Sequence, residues 1–402
     1  MPKADFAFWR LWTANVLNLF SAGAWIVAFP IVALTNSYPP SVVGGVTTAY
    51  LIGTITALIG GGFFIDVLSK SNVMAMSSGI SAICYMVAAF SIGWLFENLP
   101  VFLAVSFVLG LADALYGPAS EAIVPEVVND SSLVRANSLI SMAESLAAKL
   151  VGPALAGLAV VVFGEQLLFA ALAMCCVGAM ALCLTLNVSN SQRSDENLEH
   201  QWVQGTLAGI RVIFACTWLK WGLLWSAIAL LFQYGARVVL MPFWFQQHDD
   251  PAGYALSISA LGVGALLSGL CMSRIGGRFE SFTALMILWL VGSLCWLPIA
   301  FAFDTRVAVF IMFFMGFFNA AGNIIWSSLL QSDVPESYRG RVASADWLVS
   351  ISLMPVSAAV TGLIARSLMI EWIAVAAVVP AFLGLVAIAR NRVLQERVNT
   401  MV

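Results

Sequence analysis

The chain has 402 residues and a formal net charge of −3; 61% of it is hydrophobic and only 10% charged. Soluble domains carry roughly 25% charged residues, and a water-exposed fold of this length could not bury so much apolar surface, so the sequence predicts an all-α integral membrane protein. The near-neutral charge offers no basic stripe, which argues against nucleic acid as a partner.

A helix crossing ~30 Å of hydrocarbon needs about twenty mainly apolar residues. Such runs occur at about 8–34, 42–65, 72–94, 99–121, 133–162, 166–187, 218–246, 252–275, 281–303, 306–330, 341–366 and 370–390, predicting about twelve spans. Lys3 and Arg10 flank the first run, but no small-residue cleavage site follows a short apolar segment. It therefore reads as a retained helix rather than a signal peptide. Along it Asn15, Asn18, Ala22 and Trp25 follow one stripe, a candidate cavity lining.

After the second span comes Gly62-Phe-Phe-Ile-Asp66-Val-Leu-Ser-Lys70; the fourth span holds Asp113, and the fifth holds Glu144, Lys149 and Gly152-Pro153-Ala-Leu-Ala156-Gly157. The longest polar stretch runs from Val188 to about Arg211 and predicts a linker, 188–216, between an N-terminal bundle, 1–187, and a C-terminal bundle, 217–390. Leu198, Trp202, Leu207, Ile210 and Phe214 fit either a helix lying on the membrane surface or a solvated segment. In the second half Gln233 and Arg237 fall on the seventh span, Gly269 to Arg278 follow the eighth, Asn319 and Asn323 lie on the tenth, and Asp346 sits one turn into the eleventh. Residues 391–402 read as a tail.

With both ends on the inner side, every Lys and Arg falls inside except Arg306 and Arg366, which fall outside, and Lys149 and Arg237, which lie within spans. Basic loops are retained in the cytoplasm, so this bias predicts cytoplasmic termini. Trp9, Trp12, Trp218, Trp221, Trp225 and Trp244 lie near span ends, where they read as interfacial anchors. The seven cysteines lie in or beside apolar runs and read as packing residues.

An ionised side chain at mid-membrane costs at least ~2.5–3.5 kcal/mol, so its presence needs a reason. Asp113 and Glu144 are candidate proton carriers, because a carboxylate that changes partners can change its protonation. Lys149 and Arg237 are candidate countercharges or anchors for an anionic substrate. The competing role for each is a static ion pair that fixes helix packing. Five residues of α-helix put Glu144 and Lys149 about 140° apart, so at least one should face another helix. By four-residue spacing Gln233 with Arg237, and Asn319 with Asn323, share a face and extend the candidate lining. Asp346 reads as a cap or gate contact. His200 and His248 lie in loops and are poor relays.

Two segments recur at an offset near 207 residues, about half the chain: Gly62–Lys70 with Gly269–Arg278, and Val124-Pro125-Glu126 to Arg135 with Val334-Pro335-Glu336 to Arg341. Duplicated bundles around a central path are a common transporter plan. With these residues the chain resembles the major facilitator superfamily, whose signature after the second helix reads G-x-x-x-D-[RK]-x-G-[RK]-[RK]. Gly62, Asp66 and Lys70 match it in the first half, and Gly269, Arg274, Gly276 and Arg278 in the second, where Ser273 replaces the acid. The resemblance implies two pseudo-symmetric six-helix bundles, with Asp66, Lys70, Arg274, Arg278 and Asp346 at a cytoplasmic gate. Asp113 to Pro125, followed by Leu133 to Leu139, is similar to the drug:proton antiporter branch with macrolide efflux proteins and the enterobactin exporter. Gly152, Pro153 and Gly157 resemble that branch's helix-five bend, G-P-x-x-G-G.

The implied function is proton-coupled export of an amphipathic drug-, macrolide- or siderophore-like molecule. Competing readings are a solute or lipid symporter or facilitator, and a non-transporting sensor or scaffold. The expected partners are a small-molecule substrate, protons and the lipid bilayer, with a single chain as the working unit in the cell membrane. The sequence has no G-x-x-x-x-G-K-[ST], H-E-x-x-H, paired C-x-x-C or G-x-S-x-G pattern, so neither an enzyme, a metal nor a cofactor is expected.

Overall fold

The computed structural model describes residues 3–67, 69–128, 136, 139–140, 142–186, 216–275, 281–300, 304–334, 342, 346, 348–367 and 369–401. The linker's expected surface helix lies outside them, as do Arg135, Arg278 and Arg341; of Asp66 only the backbone is described. In hydrocarbon no water serves backbone N–H and C=O groups, so a helix, which pairs them internally, is the form such apolar segments adopt.

The helices are α1 (Lys3–Thr35), α2 (Pro40–Val67), α3 (Lys70–Glu97), α4 (Leu99–Val127), α5 (Gly152–Phe163), α6 (Glu165–Leu184), α7 (Thr217–Gly235), α8 (Met241–Gln247), α9 (Pro251–Ile275), α10 (Phe282–Leu294), α11 (Trp296–Ala300), α12 (Thr305–Asp333), α13 (Met354–Ile364) and α14 (Met369–Met401). Among the described residues ten helical segments are long and apolar enough to cross a membrane, and shorter apolar helices, Leu348–Ile364 and Val375–Arg390, stand where the last two spans were expected. Large side chains such as Phe90 (80% exposed), Phe310, Leu363 and Phe382 point outward, which suits lipid rather than water. Polar residues start the helices that follow turns: Ser69 accepts from the Asn72 N–H before α3, Ser281 from Ala284 before α10, and Asp304 from Arg306 before α12. Residues 391–401, in the expected tail, continue α14 as helix.

Two stretches are π-helical, Glu144–Val151 just before α5 and Ala236–Leu240 just before α8. A proline follows each closely, Pro153 and Pro242. Proline has no N–H to give, and its ring crowds the carbonyl four residues back. The turn ahead of it widens: the Gly152 N–H bonds to Ala147 O, five residues back.

The chain forms two compact units, Met1–Ser194 with Met241–Ser259, and Asp195–Leu240 with Ala260–Val402. In the first, α2 packs along α4, α3 lies between α4 and α6, and α1 crosses α5 and α6. One end of its core gathers Phe8, Leu11, Met74, Tyr116, Ile123 and Cys183. Further along, Trp25 stacks on Phe29 at 5.3 Å and touches Tyr85 and Phe169. In the second unit α10 packs on α12 and α14, and α7 on α13 and α14. Its core is built on tryptophan: Trp225 lies flat on Trp289 at 4.6 Å, and Trp326 touches Trp289 and Trp218. Trp225 and Trp244 are therefore buried core residues, not the interfacial anchors expected from their positions.

Backbones meet at small residues, and the meetings recur. In α2 and α4 a Cβ on Gly53 would strike the Phe107 carbonyl, and one on Gly110 the Tyr50 carbonyl; in α9 and α12 the same holds for Gly264 with Phe313 and Gly316 with Leu261. Gly23 of α1 meets the backbone of Ala148, and Gly235 of α7 meets that of Ser357, whose hydroxyl accepts the Gly235 N–H at 2.7 Å. The matching crossings stand about 210 positions apart, so the duplication read in the loops is also present in the helix packing.

Gly110→Ala and Gly316→Ala should each lower the thermal midpoint of the purified protein, by a cost of about 1–3 kcal/mol for forced overpacking. Gly117→Ala, where nothing stands within 4 Å of the added methyl, should not. Equal midpoints for all three would show that the crossings are loose.

Candidate functional site

The α2–α4 crossing sets up the first unit's polar centre. Because Gly110 lets α4 lie against the Tyr50 carbonyl, the Tyr50 hydroxyl reaches Asp113, one turn further along α4. Tyr50 Oη donates to Asp113 Oδ2 at 3.1 Å, and Ser81 Oγ of α3 donates to Oδ1 at 2.9 Å. Three helices thus converge on one carboxylate. Among the described residues the ion pairs are Lys70–Glu126 and Glu144–Lys149, and Asp113 belongs to neither. The sequence singled out Asp113; it did not find Tyr50 or Ser81, which look like ordinary span residues until the crossing is known.

Asn15, Asn18 and Trp25 do not form an open lining. They are 2%, 5% and 5% exposed and face the interior of the first unit. Asn15 Oδ1 accepts from Tyr116 Oη at 3.0 Å and Ser120 Oγ at 2.9 Å, tying α1 to α4, while Asn18 Nδ2 donates to Ser78 Oγ on α3 at 3.5 Å. The stripe is real, and it faces neighbouring helices, where Asn15 Oδ1 and Asn18 Nδ2 find partners while Asn15 Nδ2 stays buried without one among the described residues.

The expectation that Glu144 and Lys149 look in different directions is overturned. Lys149 Nζ lies 2.8 Å from Glu144 Oε1. The 140° separation holds for an α-helix, whereas the π-helical stretch spreads its residues over a wider turn and brings positions five apart onto one side. Both side chains are about half exposed, 50% for Glu144 and 56% for Lys149. The opposite side of the segment, with Ala143, Ala147, Gly152, Pro153, Ala156 and Gly157, is buried. Gly152 sits against the Phe20 carbonyl of α1, and Gly157 against the Ala255 side chain. Where the helix-five bend was expected, the π-helical stretch gives way to α5 at Gly152, with small residues on the packed side.

In the second unit Gln233 Nε2 donates to Ser293 Oγ at 2.9 Å and to the Ala376 carbonyl at 3.0 Å. Arg237 lies over the Tyr234 ring at 5.6 Å and, among the described residues, in no ion pair. Four-residue spacing serves the asparagines better: both reach α10, Asn323 Oδ1 accepting from Trp289 Nε1 at 3.2 Å and Asn319 lying beside Gly292. Asp346 Oδ2 accepts from Trp326 Nε1 at 3.0 Å, a contact that anchors the eleventh span to α12.

Of the expected gate residues, Lys70 pairs with Glu126 at the end of α4, a partner the sequence reading quoted only as part of the repeat. Arg274 is exposed at the end of α9. Among the described residues no group of three or more His, Cys, Asp or Glu is placed to hold a metal ion.

Comparison with known proteins decides the family. A sequence model of the Major Facilitator Superfamily matches residues 11–350. The chain belongs to the major facilitator superfamily. It is 25% identical over 370 residues to the uncharacterized MFS-type transporter y4rN of Sinorhizobium fredii, covering 87% of this chain and 86% of that protein. It is also 25% identical over 333 residues to the multidrug efflux pump Tap of Mycolicibacterium fortuitum, covering 80% of each. Among solved structures, a variant of the nucleoside transporter NupG superposes with a TM-score of 0.77 at 16% identity, over 95% of this chain and 99% of that one; this likeness concerns the fold. The two-bundle resemblance read from the loop motifs thus holds across the chain, and this superfamily member is a multi-pass transporter rather than an enzyme.

Glu144→Gln or Lys149→Gln alone should destabilise the protein more than the two together, by up to about 1 kcal/mol for a half-exposed pair, since each single change leaves one charge without its partner. Thermal unfolding of the three variants checks this; a double variant no more stable than the singles would show that the two charges are uncoupled.

Proposed function

We propose that the chain is a proton-coupled exporter, exchanging protons for an amphipathic small molecule that it moves out of the cell. The observation that carries this is Asp113, a carboxylate within a membrane span that holds two neutral donors and, among the described residues, no cation. Its other titratable neighbours, Cys84 and Tyr85 on α3 and Cys176 on α6, bring no positive charge either. An intramembrane acid of this kind is by default a functional group. Tyr50 and Ser81 suit the ionised form, since both donate. If α2 or α3 shifts as the bundle changes state, the carboxylate gives up a donor and takes a proton in its place. Glu144, the other expected carrier, is already neutralised by Lys149, so the exchangeable proton is assigned to Asp113.

The direction of transport draws support from the relationship to Tap and from the Gly152-Pro153 bend. On this reading the chain lies in the cell membrane with both termini in the cytoplasm and works as a single chain. Its two bundles are 1–187 and 217–390, joined by a cytoplasmic linker, 188–216, and ending in a cytoplasmic segment, 391–402. Its partners are the substrate, protons and lipid. Lys70 with Glu126, and Asp66, Arg274, Arg278 and Asp346, are assigned to the inner gate. Arg237, Gln233, Asn319 and Asn323 are assigned to the substrate path.

Asp113→Asn keeps an oxygen that accepts from Tyr50 or Ser81 but cannot ionise. In proteoliposomes the variant should lose substrate flux driven by an imposed pH gradient, keep exchange of substrate down its own gradient, and keep its thermal midpoint within a few degrees. Gradient-driven flux at the unaltered rate would overturn the coupling, and flux in the same direction as the protons would make the protein a symporter.

A further inference from the structure

The Glu144–Lys149 pair, at the start of the apolar segment Glu144–Phe163, lies alongside the middle of the first span. Gly23, near the middle of the span Phe6–Thr35, meets the backbone of Ala148, which lies between the two charged residues. At that depth a charge facing lipid is strongly disfavoured, yet both side chains are half exposed. Their side of the helix therefore faces a route that water or a polar solute enters.

A substrate that is only a cation, binding Glu144, would leave Lys149 alone; one that is only an anion would strand Glu144. A molecule bearing both charges replaces each partner with another and leaves none unpaired. The local backbone suits such an exchange. The pair closes only while Glu144–Val151 keeps its π-helical turn; relaxation to an α-helix turns the two side chains about 140° apart and opens a gap between them.

We infer that this side of the fifth span is a binding site for a zwitterion, a small amphipathic molecule whose cationic group takes over Glu144 and whose anionic group takes over Lys149. The inference rests on the transporter reading and names the substrate class for it.

The test is a thermal-shift and binding panel on the purified full chain, using hydrophobic dipeptides in four forms of each scaffold: free, C-terminally amidated, N-acetylated, and blocked at both ends. The free, zwitterionic forms should bind at least about tenfold more tightly than their singly charged versions. Glu144→Gln should shift the preference to the N-acetylated anions, and Lys149→Gln to the amidated cations. The exchanged variant E144K/K149E should restore selectivity for the zwitterions. The inference is overturned if singly charged or blocked forms bind as well as free ones, if no free dipeptide binds, or if the single variants leave the order of preference unchanged. These measurements need no gradient, so they stand apart from proton coupling. Zwitterion selectivity beside an Asp113→Asn variant that still runs on a pH gradient would sink the coupling and keep this site, and the converse result would do the reverse.

Discussion

Helices surrounded by hydrocarbon gain little by hiding apolar side chains from one another, because the lipid tails are as apolar as leucine. Backbone-on-backbone contact at small residues holds them instead, and nearly everything else in this protein follows from where those contacts fall. Gly53 and Gly110 press α2 and α4 together, and that crossing delivers Tyr50 to Asp113. Gly23 and Gly152 press α1 against the fifth span and fix which side of it is packed, leaving Glu144 and Lys149 on the other. The site residues were not arranged one by one; they stand one turn beyond contacts made for packing.

The same scarcity of water governs the polar groups. Asn15, Asn18, Gln233 and Asn323 each bond to a neighbouring helix, since an unmet polar group in this setting costs more than one at a wet surface; Asn15 does so through its oxygen alone, its Nδ2 being buried without a partner among the described residues. Two carboxylates solve the problem in different ways. Glu144 has a cation on its own helix, which makes it neutral as a pair. Asp113 has only hydroxyl donors, which lower the cost of its charge without cancelling it. That difference is the physical basis for giving the exchangeable proton to one acid and the substrate's charges to the other pair.

The spans, the duplication and the family were legible in the sequence because they depend on length, hydropathy and spacing, which the bilayer constrains tightly. What failed to read depended on local geometry. The separation of Glu144 from Lys149 assumed 3.6 residues per turn; Pro153, four residues after Lys149, was the visible sign that the turn there widens. The stripe of Asn15, Asn18 and Trp25 was found correctly and assigned to the wrong surroundings, since a polar stripe looks alike whether it faces a pathway or a neighbouring helix. Trp225 lies near a span end in sequence, but Trp289 and the Pro380 carbonyl take up its ring and its N–H, and neither partner is near it in the chain.

Matching the two halves by their crossings shows that the chemistry is unequal. Asp113 stands three residues after Gly110, and the residue three after Gly316 is Asn319. Tyr50 stands three before Gly53, and the residue three before Gly264 is Leu261. Ser81, twelve after the capping Ser69, corresponds to Ser293, twelve after the capping Ser281; in the second unit that hydroxyl accepts from Gln233 instead of serving an acid. Lys149, one after the Ala148 crossing, corresponds to Ala358. The duplicated scaffold therefore keeps its packing in both halves, while at these matched positions the acid and the exposed ion pair stand in the first; the second half's span acid, Asp346, lies elsewhere, against Trp326. A proton taken up at Asp113 would change the charge of the first unit alone, because the matching residue of the second, Asn319, cannot titrate. In a pair of otherwise similar bundles, that inequality gives protonation a conformational direction, because the two halves cannot respond to it alike.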